Sequence, residues 1–179
     1  MSREDDWYPG TWPGNIEVHE EACAESSYSF ARFRSLREPG LVMRRGSALY
    51  GSVLDVGETG RIILDEYAMV TSAYLCCDAE IHIGPHVMIS WGAVLMDHYR
   101  QRRLADLGTS ADAKDARPIR LERNSWIGFE ACVLPGVTIG ENSIVGARAV
   151  VSRDVPPNAI AVGNPARIIE RRAENLPRT

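Results

Sequence analysis

Between Leu121 and Val155 the chain alternates with a period of six. Aliphatic residues stand at Leu121, Ile127, Val133, Ile139, Val145 and Val151, and a small or branched residue follows four places after each, at Ser125, Ala131, Val137, Ser143, Ala149 and Val155. The second set falls two residues before the next aliphatic position, so each pair flanks one outward residue. That is the alternation a short strand needs to bury a single face. Gly128, Gly136, Gly140, Gly146, Glu141 and Asn142 follow the aliphatic positions and supply turn chemistry. One strand and one turn per six residues is the signature of a parallel β-helix, in which the apolar column is buried only when repeats stack.

Upstream the pattern is looser. Inward positions are expected at Met43, Leu49 and Asp55, then Ile63, Met69 and Leu75, then Ile83, Ile89 and Leu95, each trio starting 20 residues after the last. The trios are coils, with two extra residues at one corner, around Gly60-Arg61 and Glu80-Ile81, whereas the coils starting at Leu121 and Ile139 are 18 apart. Asp55 breaks the apolar rule. Residues 98–117, rich in Arg, Asp and Ala, exceed what the third coil needs and read as a long excursion loop that returns at Pro118. Such loops inside compact repeats are usually functional or disordered.

Two ends flank the coils. Residues 1–40 form an N-terminal arm and cap, with Trp7, Tyr8, Trp12 and two Pro-Gly steps in an irregular stretch and a short amphipathic helix from Glu25 to Arg37. The arm covers an open strand edge, or else Trp7 or Trp12 lines an acceptor pocket. Residues 41–179 form the β-helix domain. Pro156-Pro157-Asn158 ends the regular coils, and residues 168–175 read as a short C-terminal helix packed by Ile168 and Ile169.

Composition narrows the function. The net charge is −4, and Lys114 is the one lysine in a chain with no long basic block, which argues against nucleic acid as a partner. The start is acidic and aromatic rather than basic and apolar, and no apolar run reaches spanning length, so a cytoplasmic protein without membrane contact is expected. Cys23, Cys76, Cys77 and Cys132 lack metal-ligand spacing and are expected as free thiols.

The run from Pro118 to Arg167 includes Trp126-Ile127-Gly128, Leu134 to Gly140 and Gly163-Asn164-Pro165-Ala166-Arg167. It resembles the C-terminal half of the hexapeptide-repeat acyltransferases, in the manner of the xenobiotic, galactoside and maltose O-acetyltransferases and those of surface-polysaccharide synthesis. The resemblance implies an all-β fold: a left-handed parallel β-helix of triangular section with about five coils. It also implies a homotrimer with active sites at its interfaces and acetyl-CoA as co-substrate without a metal. The reaction would be acetyl transfer to a hydroxyl or amine of a small molecule, a sugar or sugar-like metabolite. The alternative is a non-catalytic β-helix scaffold or binding subunit, which keeps the coils and loses the base or the coenzyme groove.

Acetyl transfer needs a base that is largely neutral near pH 7, and imidazole fits. Of His19, His82, His86 and His98, the last opens the excursion where the family's catalytic histidine matches. Asp97 orients that ring only if the chain turns at 97 and 98, because adjacent strand residues point apart. Tyr99 and Arg100 are placed to contact the acceptor, unless the Arg-rich loop is simply a solvated charge run. The family's coenzyme positions match Phe129, Ala147, Ser152, Arg153 and Arg167. Where relatives carry a basic residue there is Glu170, for which Arg171 substitutes or the phosphate contact is lost. Trp126 is outward and serves as a groove wall or in trimer packing. Zinc chemistry is disfavoured: His82 is an outward strand position, His86 lies in a turn, and no histidine follows His98 to complete a site.

Overall fold

The structure, a computed structural model, describes residues 6–99 and 115–170. It is a parallel β-solenoid of about six turns with almost no helix. The first sheet stacks Ile16–Val18, Leu41–Met43, Arg61–Leu64, Glu80–Ile83, Ile119–Leu121 and Thr138–Ile139. The second stacks Cys23–Ala24, Ala48–Tyr50, Met69–Thr71, Met88–Ile89, Trp126–Ile127, Ile144–Val145 and Ala159–Val162. Val53–Val56, Tyr74–Cys77, Val94–Met96, Cys132–Val133 and Val150–Val151 make the third.

Register follows from burial. Met43, Leu64, Ile83, Leu121 and Ile139 form one inward column and Leu49, Val70, Ile89, Ile127, Val145 and Ala161 another. Each large aliphatic side chain removed from water contributes about 1.5–3 kcal/mol. A one-residue slip would expose a whole column at once.

The upstream coils depart from the sequence expectation in register. Leu64 and Val70 are inward where Ile63 and Met69 were expected, and Met69 is 38% exposed. Leu54, fully buried, holds the place assigned to Asp55, so the apolar rule is intact there. The repeat also starts earlier than Met43. Ile16 pairs with Leu41, Cys23 with Ala48 and Phe33 bridges to Val56, which adds a turn to the expected five. Extra residues between these pairings hid the period.

Both expected helices are corrected. Of residues 25–37 only Ser27–Phe30 is helical, a 3-10 turn capped by the Ser26 side chain. Asp6 ties the arm to this turn, accepting from Ser26 Oγ at 2.6 Å and Ser27 N at 2.7 Å. These bonds, the Ser26 hydroxyl first, hold its carboxyl well below the usual range. Trp12 packs on Phe30 at 5.0 Å between centroids. At the other end Arg167–Glu170 is a strand running antiparallel to Ala159–Val162, because Gly163 at φ +94 reverses the chain. Residues 171–175 lie outside the described residues.

Corners differ in kind. The corner between first and second sheets is a column of left-handed residues, Tyr67, His86, Asn124, Asn142 and Asn158, each at φ 58. Tyr67 and His86 stack at 5.2 Å, and Asn124 Nδ2 donates to Asn142 Oδ1 at 2.8 Å. Asparagine tolerates this backbone better than most residues. Between the third sheet and the next coil the connections vary in length, from Gly57–Gly60 through Asp78-Ala79 to the excursion after Asp97. This third corner carries the candidate chemistry.

Candidate active site

Cys76 pairs with Met96, so the chain leaves the third sheet at adjacent levels at Asp78 and Asp97. The backbone bends at Asp97 and His98, which frees the two side chains from the alternation of a strand. Asp97 is fully buried. Its carboxylate accepts from the backbone N–H of Asp78 at 2.9 and 3.0 Å and of Ala79 at 2.7 Å. Its Oδ1 also lies 2.9 Å from His98 Nδ1. A carboxylate pinned by two amides fixes the ring that it faces.

The other ring nitrogen is engaged as well. His98 Nε2 lies 2.7 Å from Asp78 Oδ2, and the histidine is only 5% exposed. A neutral imidazole has one N–H. Two contacts to carboxylates therefore require two protons shared among the ring, Asp78 and Asp97. Space for the Asp78 carboxylate comes from Gly57: a Cβ there would collide with Asp78 Oδ1. Next to this group the Cys77 thiol donates to the Arg61 carbonyl at 3.2 Å. Burial, and then the Asp97 charge, push that thiol far above its ordinary value.

Beside the corner is a cavity of about 840 Å³, lined by Leu36, Arg37, Glu58, Thr59, Asp78, Ala79, Glu80 and Pro118. Its walls come from three levels: the N-terminal segment, the third corner, and the return of the excursion. Arg117 N ties that return down, donating to Asp97 O at 2.7 Å.

The structure brings together some of the residues expected from sequence. Asp97 and His98 are in contact, and Tyr99 beside them is exposed. Arg100 lies outside the described residues. Ser152, Arg153 and Arg167 line one cavity of about 300 Å³ with Val151, Ala161, Ala166 and Ile168. Two exposed guanidiniums and a hydroxyl around an apolar floor suit a phosphate-bearing ligand. Trp126, Phe129 and Ala147 do not line that cavity. Trp126 is 44% exposed in a ladder with Met88 and Ile144, and its indole donates to Ser90 Oγ at 3.0 Å.

His82 and His86 make separate contacts, His86 with the Tyr67 ring. His82 Nε2 meets Asp65 Oδ2 at 2.8 Å, and its Nδ1 faces Arg120 Nη1 at 3.0 Å. Asp78 is the residue that sequence reasoning missed. The available signal was its place: it follows the coil strand below Asp97-His98 at the same corner.

The bacterial transferase hexapeptide (six repeats) family matches residues 118–153. The chain is 50% identical over 125 residues to the galactoside O-acetyltransferase of Escherichia coli, spanning 67% of this chain and 55% of that protein. A hexapeptide-repeat-containing acetyltransferase of Vibrio cholerae, solved with acetyl coenzyme A, superimposes with a TM-score of 0.58 at 28% identity, covering 73% of this chain and 70% of that one. A galactoside acetyltransferase in complex with coenzyme A gives 0.53 at 29% identity, covering 68% and 64%. The chain spans 31% to 55% of the length of the curated relatives it matches. Repeat, fold and sequence likeness all point to the hexapeptide-repeat acyltransferases as the proteins that this chain resembles.

Proposed function

We propose that the protein transfers an acetyl group from acetyl-CoA to a hydroxyl or amine of a small, sugar-like acceptor, with His98 in the base and Asp97 positioning it. The observation that carries this reading is the buried Asp97–His98 pair at the corner where the excursion leaves the coils. The cavity at Ser152, Arg153 and Arg167 supports a coenzyme site. Among the described residues neither guanidinium has an ion-pair partner, which leaves both for phosphate. The acceptor O–H breaks as its oxygen attacks the thioester carbonyl, the C–S bond breaks, and the proton ends on the coenzyme thiol.

The assembly in this proposal is a homotrimer of left-handed solenoids with sites between subunits. Exposed Met69, Met88, Trp91, Trp126 and Phe129 support it, since a large outward apolar patch marks an interaction surface. The scaffold reading is favoured by one observation, the engagement of both His98 nitrogens within the chain.

Calorimetric titration with coenzyme A, on the wild type and on His98→Ala, decides between them. Saturable binding near one per subunit in both proteins is expected. Release of free thiol from acetyl-CoA is then followed with a panel of galactosides, maltose and amino sugars, and is expected to be lost in His98→Ala. Absence of coenzyme A binding in both proteins would remove the acetyltransferase reading and leave the scaffold.

A further inference from the structure

A base must be reachable, and His98 in this arrangement is not reached directly. It does not line the 840 Å³ cavity beside it, and both of its nitrogens face carboxylates. Asp97 is sealed, its oxygens occupied by the Asp78 and Ala79 amides. Asp78 is different, because it touches Nε2 and also lines the cavity. The line from cavity to imidazole therefore runs through the Asp78 carboxylate. Gly57 below it leaves room for that carboxylate, and the hydroxyl of Thr59 holds its backbone by donating to Asp78 O at 2.7 Å.

We propose that this cavity is the acceptor pocket and that Asp78 is the catalytic residue that touches the acceptor, taking its proton in concert with His98. The proposal rests on the acyl-transfer reading above and assigns a residue that it lacks. In the resting site Nδ1–H faces Asp97, and one proton is shared between Nε2 and Asp78. As the acceptor oxygen or nitrogen bonds to the thioester carbon, its proton moves to an oxygen of Asp78 and the shared proton settles on Nε2. Collapse of the tetrahedral adduct breaks the C–S bond, and the leaving thiolate takes the proton from Asp78. Ester or amide and coenzyme thiol result, and the site is restored. The volume is of the size that holds small ligands, and Glu58, Glu80, Thr59 and Arg37 offer polar partners to a polyol.

The test compares Asp78→Asn, Asp78→Ala and Gly57→Ala with the wild type, using acetyl-CoA and the fastest acceptor of the sugar panel, or water if none is faster. Asp78→Asn keeps the shape but cannot take a proton, and kcat is expected to fall about 10²-fold or more, the usual scale of general-base loss, with coenzyme affinity unchanged. Gly57→Ala, which displaces the carboxylate, is expected to lower kcat in the same direction. Formate is expected to restore part of the activity of Asp78→Ala, a rescue that a purely structural role would not give. Among the described residues the carboxylates facing the ring are Asp78 and Asp97, with the Cys77 thiol beside them.

A kcat within threefold of wild type in Asp78→Asn overturns the proposal while the donor site stands. So does coenzyme binding without turnover on any acceptor, water included. Absence of coenzyme binding instead overturns the acyl-transfer reading, and this proposal with it. Circular dichroism on each variant separates loss of the proton path from loss of the fold, and a misfolded Asp78→Asn passes the decision to formate rescue of Asp78→Ala.

Discussion

Removing the Asp97 carboxylate tests whether the corner is held as its geometry indicates. The side chain is fully buried and accepts from two backbone amides and one ring nitrogen. Asp97→Ala leaves two buried N–H groups without acceptors, at roughly 1–3 kcal/mol each, and frees the ring from its partner. Against this stands relief from burying a carboxylate, which returns part of the cost. The net expectation is a loss of about 3–5 kcal/mol, a large share of the roughly 5–15 kcal/mol that holds a domain folded. Asp97→Asn retains one oxygen for the Ala79 amide but turns an NH₂ toward a donor, so about 1–2 kcal/mol is expected.

Urea unfolding followed by far-ultraviolet circular dichroism at one protein concentration reads both variants. The midpoint order should be wild type, then Asn, then Ala, with similar slopes. A double-mutant cycle with His98→Ala should show coupling of about 0.5–3 kcal/mol, because contacting residues are not additive. Midpoints of both variants equal to wild type, or a coupling of zero, would refute the claim that this carboxylate organises the corner. The same Asn variant also bears on catalysis. Its NH₂ would donate to Nδ1 and hold the ring proton on Nε2, which then cannot take the proton it shares with Asp78, so thiol release should fall by roughly 10²–10⁴-fold while coenzyme binding persists.

Burial and Asp97 keep the Cys77 thiol protonated well beyond its ordinary range. In the native protein at pH 8 it should resist iodoacetamide while half-buried Cys23 reacts, as peptide mass mapping would read; rapid Cys77 labelling in the folded state would contradict this. Burial first, and then the Asp55 carboxylate that accepts from it at 2.9 Å, raise the Tyr74 phenol above its usual value, with Arg32 opposing. The folded state thus keeps that proton longer than the unfolded chain does. Its stabilising contribution is complete below about pH 10 and is lost as pH rises from there through the folded value, so Tyr74→Phe should flatten the alkaline fall in denaturant midpoint. Asn142 at φ 58 bonds Asn124 on one side and Asn158 on the other. Asn142→Ala should cost about 1–2 kcal/mol in thermal or urea unfolding and Asn142→Gly less, with the reverse order counting against the corner's strain.

The downstream coils were readable because they obey one rule. From Leu121 to Val151 every aliphatic position assigned from spacing is inward. Upstream the same physics operates with four-residue strands, as at Arg61–Leu64, where Ile62, Ile63 and Leu64 are all aliphatic and spacing alone does not say which face is buried. The N-terminal turn stayed hidden because its returns, Ile16 to Leu41 and Cys23 to Ala48, are longer than any hexapeptide count. Residues 168–175 read as a charged helix, but a reversal at Gly163 gives Arg167–Glu170 a strand to pair with, and tertiary pairing overrides local propensity there.

The site was legible only in part, for a related reason. Position in the repeat located His98, since an interruption of a regular coil is visible as an excess of residues. What the ring touches depends on contacts between successive coils, and these appear in sequence only when the register is right. With Leu54 and not Asp55 as the inward residue, Leu75 and Leu95 follow at the same level, and Asp78 falls beside Asp97 and His98. A solenoid imposes this logic on its chemistry. The flat faces are committed to the core and to their neighbours, and the two regular corners are fixed by left-handed residues that repeat from coil to coil. Among the described residues the third corner varies most in length from coil to coil without disturbing the inward columns, as Gly57–Gly60 and the excursion show. Groups from different levels can therefore converge there at distances set by strand stacking, about 4.8 Å per coil, and the Asp78–His98–Asp97 arrangement spans one such step.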